Sequence, residues 1–301
     1  MGRAGGLPAC RTRGKAARTC HGSGQSVSLL HWLYQKKSRS GAMSEAAARK
    51  AFPRGLAQPE GGFRFGADAL LLAAFAAQVP GCRALDLGTG CGPAGLGWML
   101  ARQDPEATVL GLDKDPAMVE AARENARRLG LADRFDARLL DVRDLGTDAG
   151  LVPGSCDLVL ANPPYRHPGS GRRPEHQGRE AARFETDGDL PAFAAAAFLA
   201  LADKGRFACV HLAERLVHVI ASLAAQNLEP KYILPVSPRR DAPARQILVL
   251  ARKNGRPGLR LDAPLALYEG TGPETRLSEA ALRFCPFLSC NAGPRAVPGR
   301  Q

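Results

Sequence analysis

Four consecutive residues, Asn162-Pro163-Pro164-Tyr165, carry the most specific chemical signal in the 301-residue sequence. They follow the apolar run Leu158-Val159-Leu160-Ala161. Asn-Pro alone reads as a turn that ends a strand. The full quartet suits work on a planar amino nitrogen, whose lone pair is delocalised and poorly nucleophilic. The Asn162 carbonyl can accept one N–H of such a group, and a backbone carbonyl of Pro163 or Pro164 the other. Those bonds favour a pyramidal nitrogen with its lone pair free for an electrophile. Two prolines fix the backbone, so the acceptors are in place before a substrate arrives. Tyr165 offers an aromatic face for a flipped base and a cation–π surface for a positively charged donor. Neither a metal nor a covalent enzyme intermediate is required.

A second constellation lies upstream. The strand-like Arg83 to Leu87 runs into Gly88-Thr89-Gly90-Cys91-Gly92-Pro93. Glycines there let a backbone approach a ligand and open the next helix. Gly90, Gly92 and Gly95 even satisfy the dinucleotide spacing G-x-G-x-x-G. Asp113, at the end of the next strand, can accept from both hydroxyls of a ribose. Two details favour S-adenosylmethionine over a nicotinamide dinucleotide. Asp86, inside the first strand, suits a ligand with a cationic ammonium or sulfonium, not a pyrophosphate. Pro93 breaks the register natural to a dinucleotide loop. Asp141 ends the third strand, where it can accept from an adenine amino group. The expected cofactor contacts are therefore Asp86, Gly88, Gly90, Gly92, Asp113, Asp141 and Asn162.

These residues need a scaffold of alternating elements. Ala67 to Val79, Pro93 to Arg102, Asp115 to Leu129, Leu190 to Asp203 and Glu214 to Asn227 read as helices. Asp115 and Pro116 supply an N-cap and a first-turn proline, and Gly130 a stop. Short apolar strands fit Arg83 to Leu87, Thr108 to Leu112, Arg134 to Leu140, Asp157 to Ala161, Arg206 to His211, Lys231 to Val236 and Gln246 to Arg252. Such strands are buried on both faces, which implies a mainly parallel sheet. The polar connection between the last two is too short for a crossover helix, so they are expected to pair antiparallel. The fold class is α/β, Rossmann-like, with helices on both faces.

With these pieces in view, the stretch from Phe65 to about Leu288 resembles the bacterial valine-tRNA adenine-N6 methyltransferase family, within the wider group of NPPY amino-methyltransferases. The resemblance rests on Phe65-Gly66-Ala67-Asp68, LDLGTGCG at 85–92, LDKD at 112–115, NPPY at 162–165 and Ala182-Arg183-Phe184-Glu185. It implies a seven-stranded sheet with one antiparallel strand, and a role for Phe65 and Asp68 in closing over the methionine end of the cofactor. It implies methyl transfer to the exocyclic N6 of an adenine in RNA, with tRNA as the expected partner.

Charge is unevenly spread. The net charge is +12, and residues 1–42 hold eight basic and no acidic residues, leaving +4 for the remainder. Bulk charge is thus a weak pointer to nucleic acid. The local run after Tyr165 is stronger. Arg166, Arg172, Arg173, Arg179 and Arg183 flank the quartet among glycines and are candidate contacts to an RNA backbone. Arg239, Arg240 and Arg245 form a second basic turn. The eight cysteines lack a C-x-x-C pair and suit a reducing compartment. Cys285 and Cys290 have no second pair with metal-ligand spacing. No apolar run is long enough to span a membrane. The expectation is a cytoplasmic, metal-free monomer with a methyltransferase domain at 43–290, a disordered or spurious extension at 1–42 and a loose tail at 291–301. The alternatives are methylation of a glutamine amide in a protein such as a release factor, a DNA adenine target, a non-catalytic cofactor-binding module, and a nicotinamide oxidoreductase. The last leaves the quartet without a purpose.

Overall fold

A computed structural model describes residues 44–60, 64–146, 151–164 and 190–291. The expectations for residues 1–42, for the loop from Tyr165 to Arg183 and for the tail lie outside these stretches.

Five parallel strands form one side of the sheet: β1 (Arg83–Leu87), β2 (Thr108–Asp113), β3 (Phe135–Leu139), β4 (Cys156–Ala161) and β5 (Leu201–Leu212). β6 (Leu228–Ser237) and β7 (Gln246–Lys253) complete the expected seven. Their spatial order is β3-β2-β1-β4-β5-β7-β6. β7 is antiparallel to both neighbours, so a tight turn joins it to β6 as expected. The sheet has nine strands rather than seven, because the two-residue β8 (Arg260–Leu261) and β9 (Leu265–Ala266) add to the free side of β6. Such short, partly exposed strands carry no readable apolar period.

Each face of the sheet is covered by its own helices. On one side lie α1 (Glu45–Ala51), α2 (Ala67–Ala77), α3 (Pro93–Arg102) and α4 (Pro116–Arg128), which bury Leu71, Leu72, Trp98 and Val119 against Ala84, Val109, Leu158 and Leu160. On the other, α5 (Leu190–Ala200) and α6 (Leu216–Ala225) bury Phe193, Ala197, Val219 and Leu223 against Leu85, Leu110, Val159 and Phe207. The alternation Leu158, Val159, Leu160, Ala161 between the two cores is the period-two signature of a strand buried on both faces.

The helix starts follow local chemistry. Asp115 caps α4 by accepting from the Ala117 N–H at 2.8 Å, with Pro116 in the first turn. Glu120 and Glu124 on the outer side of α4 pair with Arg127 and Arg128, while Met118, Ala122 and Ala126 face inward. Several boundaries shift by a few residues. α5 stops at Ala200, because Leu201 already pairs with Cys156 as the first residue of β5. The chain before α2 packs onto the same core: Ser44 caps α1, and Ala48 and Phe52 are buried. Seven residues are too few for an apolar period to register, so this helix is invisible in the sequence.

Candidate functional site

β1 has β2 on one side and β4 on the other, so the chain direction around the sheet reverses between β1 and β4. Ligands of open α/β sheets bind in the crevice at the carboxyl ends of strands at such a point. Here a cleft of about 180 Å³ is lined by residues at the carboxyl ends of four strands: Gly88 and Gly90 after β1, Asp113 and Lys114 at β2, Leu140 to Val142 after β3, and Asn162 and Pro164 after β4. Phe193 of α5 closes one wall.

The glycine loop is held from several sides. Gly88 has φ +64°, and a Cβ there would press on the Phe193 ring at 3.3 Å, so both backbone and space favour glycine. Gly90 has φ +56° with open space beyond it. Its N–H donates to Asp113 Oδ2 at 2.8 Å, while Asp113 Oδ1 accepts from the Asp115 N–H at 2.9 Å. Asp113 thus clamps the loop to the start of α4 and remains half-buried at the cleft. Asn125, wholly buried on α4, donates to the Cys91 and Ala57 carbonyls at 2.9 and 3.0 Å and accepts from the Ala57 N–H at 2.6 Å. It ties the loop to α4 and to the segment after α1.

Asp86 is set back from the cleft. It is 1% exposed and does not line the cleft. Its Oδ2 accepts from Thr89 Oγ1 at 2.7 Å and from the Gly95 N–H at 3.0 Å. Strand alternation explains this. Leu85 and Leu87 point into the core beneath α5, so Asp86 points the other way, under α3. Burial raises its carboxyl to about 7, partly offset by the bonds from Thr89 and Gly95. Asp86 therefore shapes the loop and its helix from within. Gly92 has φ +89° at the start of α3 and is not among the residues that line the cleft.

Asp141 does line the cleft, but its carboxylate is engaged by Arg143: Nη2 donates at 2.6 Å, Nε at 2.9 Å and the backbone N–H at 3.0 Å. The bonds from the Arg143 side chain hold the Asp141 carboxyl down at about 2. Asn162 is half-buried, and Pro163 beside it is buried. Tyr165 lies outside the described residues, as do Arg166, Arg172, Arg173, Arg179 and Arg183. Phe65 and Asp68 are not among the lining residues. Phe65 packs against Cys91, Met118 and Ala121 behind the glycine loop, and Asp68 Oδ1 accepts from the Ala69 N–H at 2.9 Å at the start of α2. Cys285 is buried and its thiol donates to the Leu70 carbonyl at 3.3 Å. Among the described residues, no group of three His, Cys, Asp or Glu side chains converges as a metal site. No described helix is long and apolar enough to cross a membrane.

Sequence reasoning missed Lys114, Leu140, Val142 and Phe193. The first three directly adjoin Asp113 and Asp141, so strand-end position alone could have named them. Phe193 carried no signal, being one apolar residue in an Ala-rich helix.

A family profile described as a methyltransferase domain matches residues 78–233, more than half of the chain. A Porphyromonas gingivalis protein named tRNA1(Val) (adenine(37)-N6)-methyltransferase is 34% identical over 157 residues, 51% of this chain and 60% of that one. An Actinobacillus succinogenes protein of the same name is 36% identical over 122 residues, 40% of this chain and 49% of that one. The Yersinia pestis protein of that name is 28% identical over 197 residues, 64% of this chain and 75% of that one. The match thus spans 60% of the Porphyromonas relative's length and about half of the Actinobacillus relative's. Among solved structures, a predicted O-methyltransferase from Agrobacterium tumefaciens superposes with TM-score 0.59 at 23% identity, covering 73% of this chain and 96% of that one. That likeness concerns the fold, and it agrees with the Rossmann-like architecture. The resemblance drawn from the motifs agrees with the curated relatives, and the chain belongs to the methyltransferase-domain family.

Proposed function

We propose that the chain transfers a methyl group from S-adenosylmethionine to the exocyclic N6 of an adenine in RNA, with tRNA as substrate. One observation carries the reading: Asn162 and Pro164 line the same cleft as Gly88, Gly90, Asp113 and Asp141. A methyl donor held by the loop and a nitrogen held by the Asn-Pro pair would then meet in one crevice.

The cleft fits S-adenosylmethionine on its own terms. Asp113 keeps lone pairs free beyond its two backbone bonds and can accept from a ribose diol. Leu140 and Val142 offer apolar surface to an adenine, and Asp141 can accept from its amino group while still bound to Arg143. Gly90 leaves open space where any side chain would project. When bound, S-adenosylmethionine supplies a methyl group on a positively charged sulfur. Asn162 and the proline carbonyls hold the target nitrogen's hydrogens and turn its lone pair toward the methyl end. Because these acceptors sit on a proline-fixed turn after a buried strand, they are oriented before the base arrives. The surplus proton leaves after transfer, so no dedicated base is needed.

The choice of an RNA adenine over a protein amide draws on the names of the curated relatives and on the Arg-rich stretch after Tyr165. Labelled S-adenosylmethionine offered in parallel with bulk tRNA, a release factor and duplex DNA tests it. Label in tRNA, recovered as N6-methyladenosine after digestion, is expected. Label in the release factor alone would replace the adenine by a glutamine amide.

A further inference from the structure

We propose that the turn between β6 and β7 is a phosphate-binding surface for the RNA, reading its backbone beside the catalytic cleft; this rests on the RNA target argued above. The turn runs from 238 to 245 and carries Arg239, Arg240 and Arg245 against the single acid Asp241.

Position is the first argument. β6 runs parallel to β4 across the intervening β5 and β7, so the end of β6 and the start of β7 lie at the carboxyl edge that also carries Asn162. The order β4-β5-β7-β6 puts the turn two to three strands from β4, a lateral distance of about 10–14 Å. An RNA whose base entered the cleft would pass its neighbouring phosphates over this edge.

Charge is the second. Several other surface arginines are matched by carboxylates: Arg123 with Asp136, Arg127 and Arg128 with Glu124, Arg260 with Asp262, Arg276 with Glu269, Arg283 with Glu279. Among the described residues no carboxylate pairs with Arg239, Arg240 or Arg245. Arg240 and Arg245 are exposed, with their guanidinium groups free to meet phosphates bidentately.

Rigidity is the third. Arg239 donates to the Gly270 carbonyl and, at 3.1 Å, to Thr275 Oγ1, which pins the turn to a neighbouring hairpin. Backbone bonds from Arg245 to Val236 at 2.9 Å, from Ala213 to Arg245 at 3.0 Å and from Tyr268 to Pro238 at 2.9 Å fix both ends. A turn held this way needs little backbone ordering on binding, leaving the two arginine side chains to be fixed.

The double variant Arg240→Ala/Arg245→Ala tests the assignment, with fluorescently labelled bulk tRNA titrated over a range of salt. Affinity is expected to fall about tenfold or more near physiological salt, and the slope of log affinity against log salt to shrink by up to about 2. S-adenosylmethionine affinity should be unchanged, and Arg240→Lys/Arg245→Lys should keep most of the slope. Unaltered affinity and slope in the Ala variant, or no tRNA binding by the parent protein, would overturn the proposal. Methyl transfer by the parent is read separately. A parent that binds tRNA with the full salt slope yet methylates only protein would sink the adenine reading and leave the surface standing.

Discussion

Asp113 does two things with one carboxylate. It accepts from the Gly90 and Asp115 backbone N–H groups, which fixes the shape of the glycine loop, and it faces the cleft with lone pairs to spare. Asp113→Ala is expected to weaken S-adenosylmethionine binding by about 2–4 kcal/mol, the scale of losing charge-assisted bonds at a partly buried site. Calorimetry checks this, and unchanged affinity would move the ribose elsewhere. Asp141 is already committed to Arg143, so its contribution is expected to be the smaller of the two. Residues of this kind were legible in the sequence because a strand end places the next residues at the crevice. The burial of Asp86 was not: the parity of β1 turns it under α3, and parity relative to the cleft cannot be read without the layer each face meets.

At the level of elements, the loop after β1 is supported by buried polar groups from other segments. Asn125 of α4 satisfies three backbone groups with its carboxamide, including the Cys91 carbonyl in the loop. Asn125→Ala strands those groups without partners and is expected to destabilise the fold by about 1–3 kcal/mol. Chemical denaturation measures the loss, and a native midpoint would show that water replaces the amide. Asp86 adds a pH dependence. Its carboxyl stands at about 7 in the folded chain against an ordinary value of 3.8, so between those values the folded state binds a proton that the unfolded state lacks. Its contribution to stability is full below about pH 4 and falls as pH rises toward 7. Asp86→Asn cannot ionise and should flatten that part of the stability profile. Equal slopes in the two proteins would place the proton on another group. The seven long strands and the capped helices were readable from apolar runs and from Asp115-Pro116 and Gly130. Helix α1 and strands β8 and β9 were not: two residues are too few for a strand's alternation and seven too few for a helical period, so these elements owe their form to packing on a finished sheet.

The whole molecule brings two kinds of contact to one edge. The glycine loop, Asp113 and Asp141 sit over β1 to β3, Asn162 and Pro164 over β4, and the strand order reverses between β1 and β4. Catalysis on this account is the meeting of a donor side and an acceptor side, with Asn162 acting on the target nitrogen as the methyl crosses. The most direct test is single-turnover transfer from labelled S-adenosylmethionine to tRNA, with products resolved as nucleosides and cofactor binding measured separately, in the parent and in Asn162→Ala. The account predicts N6-methyladenosine from the parent, a rate lower by about a hundredfold or more in the variant and nearly native cofactor affinity. Transfer by Asn162→Ala at close to the parent rate, or label in any position other than the adenine amino group, would contradict it.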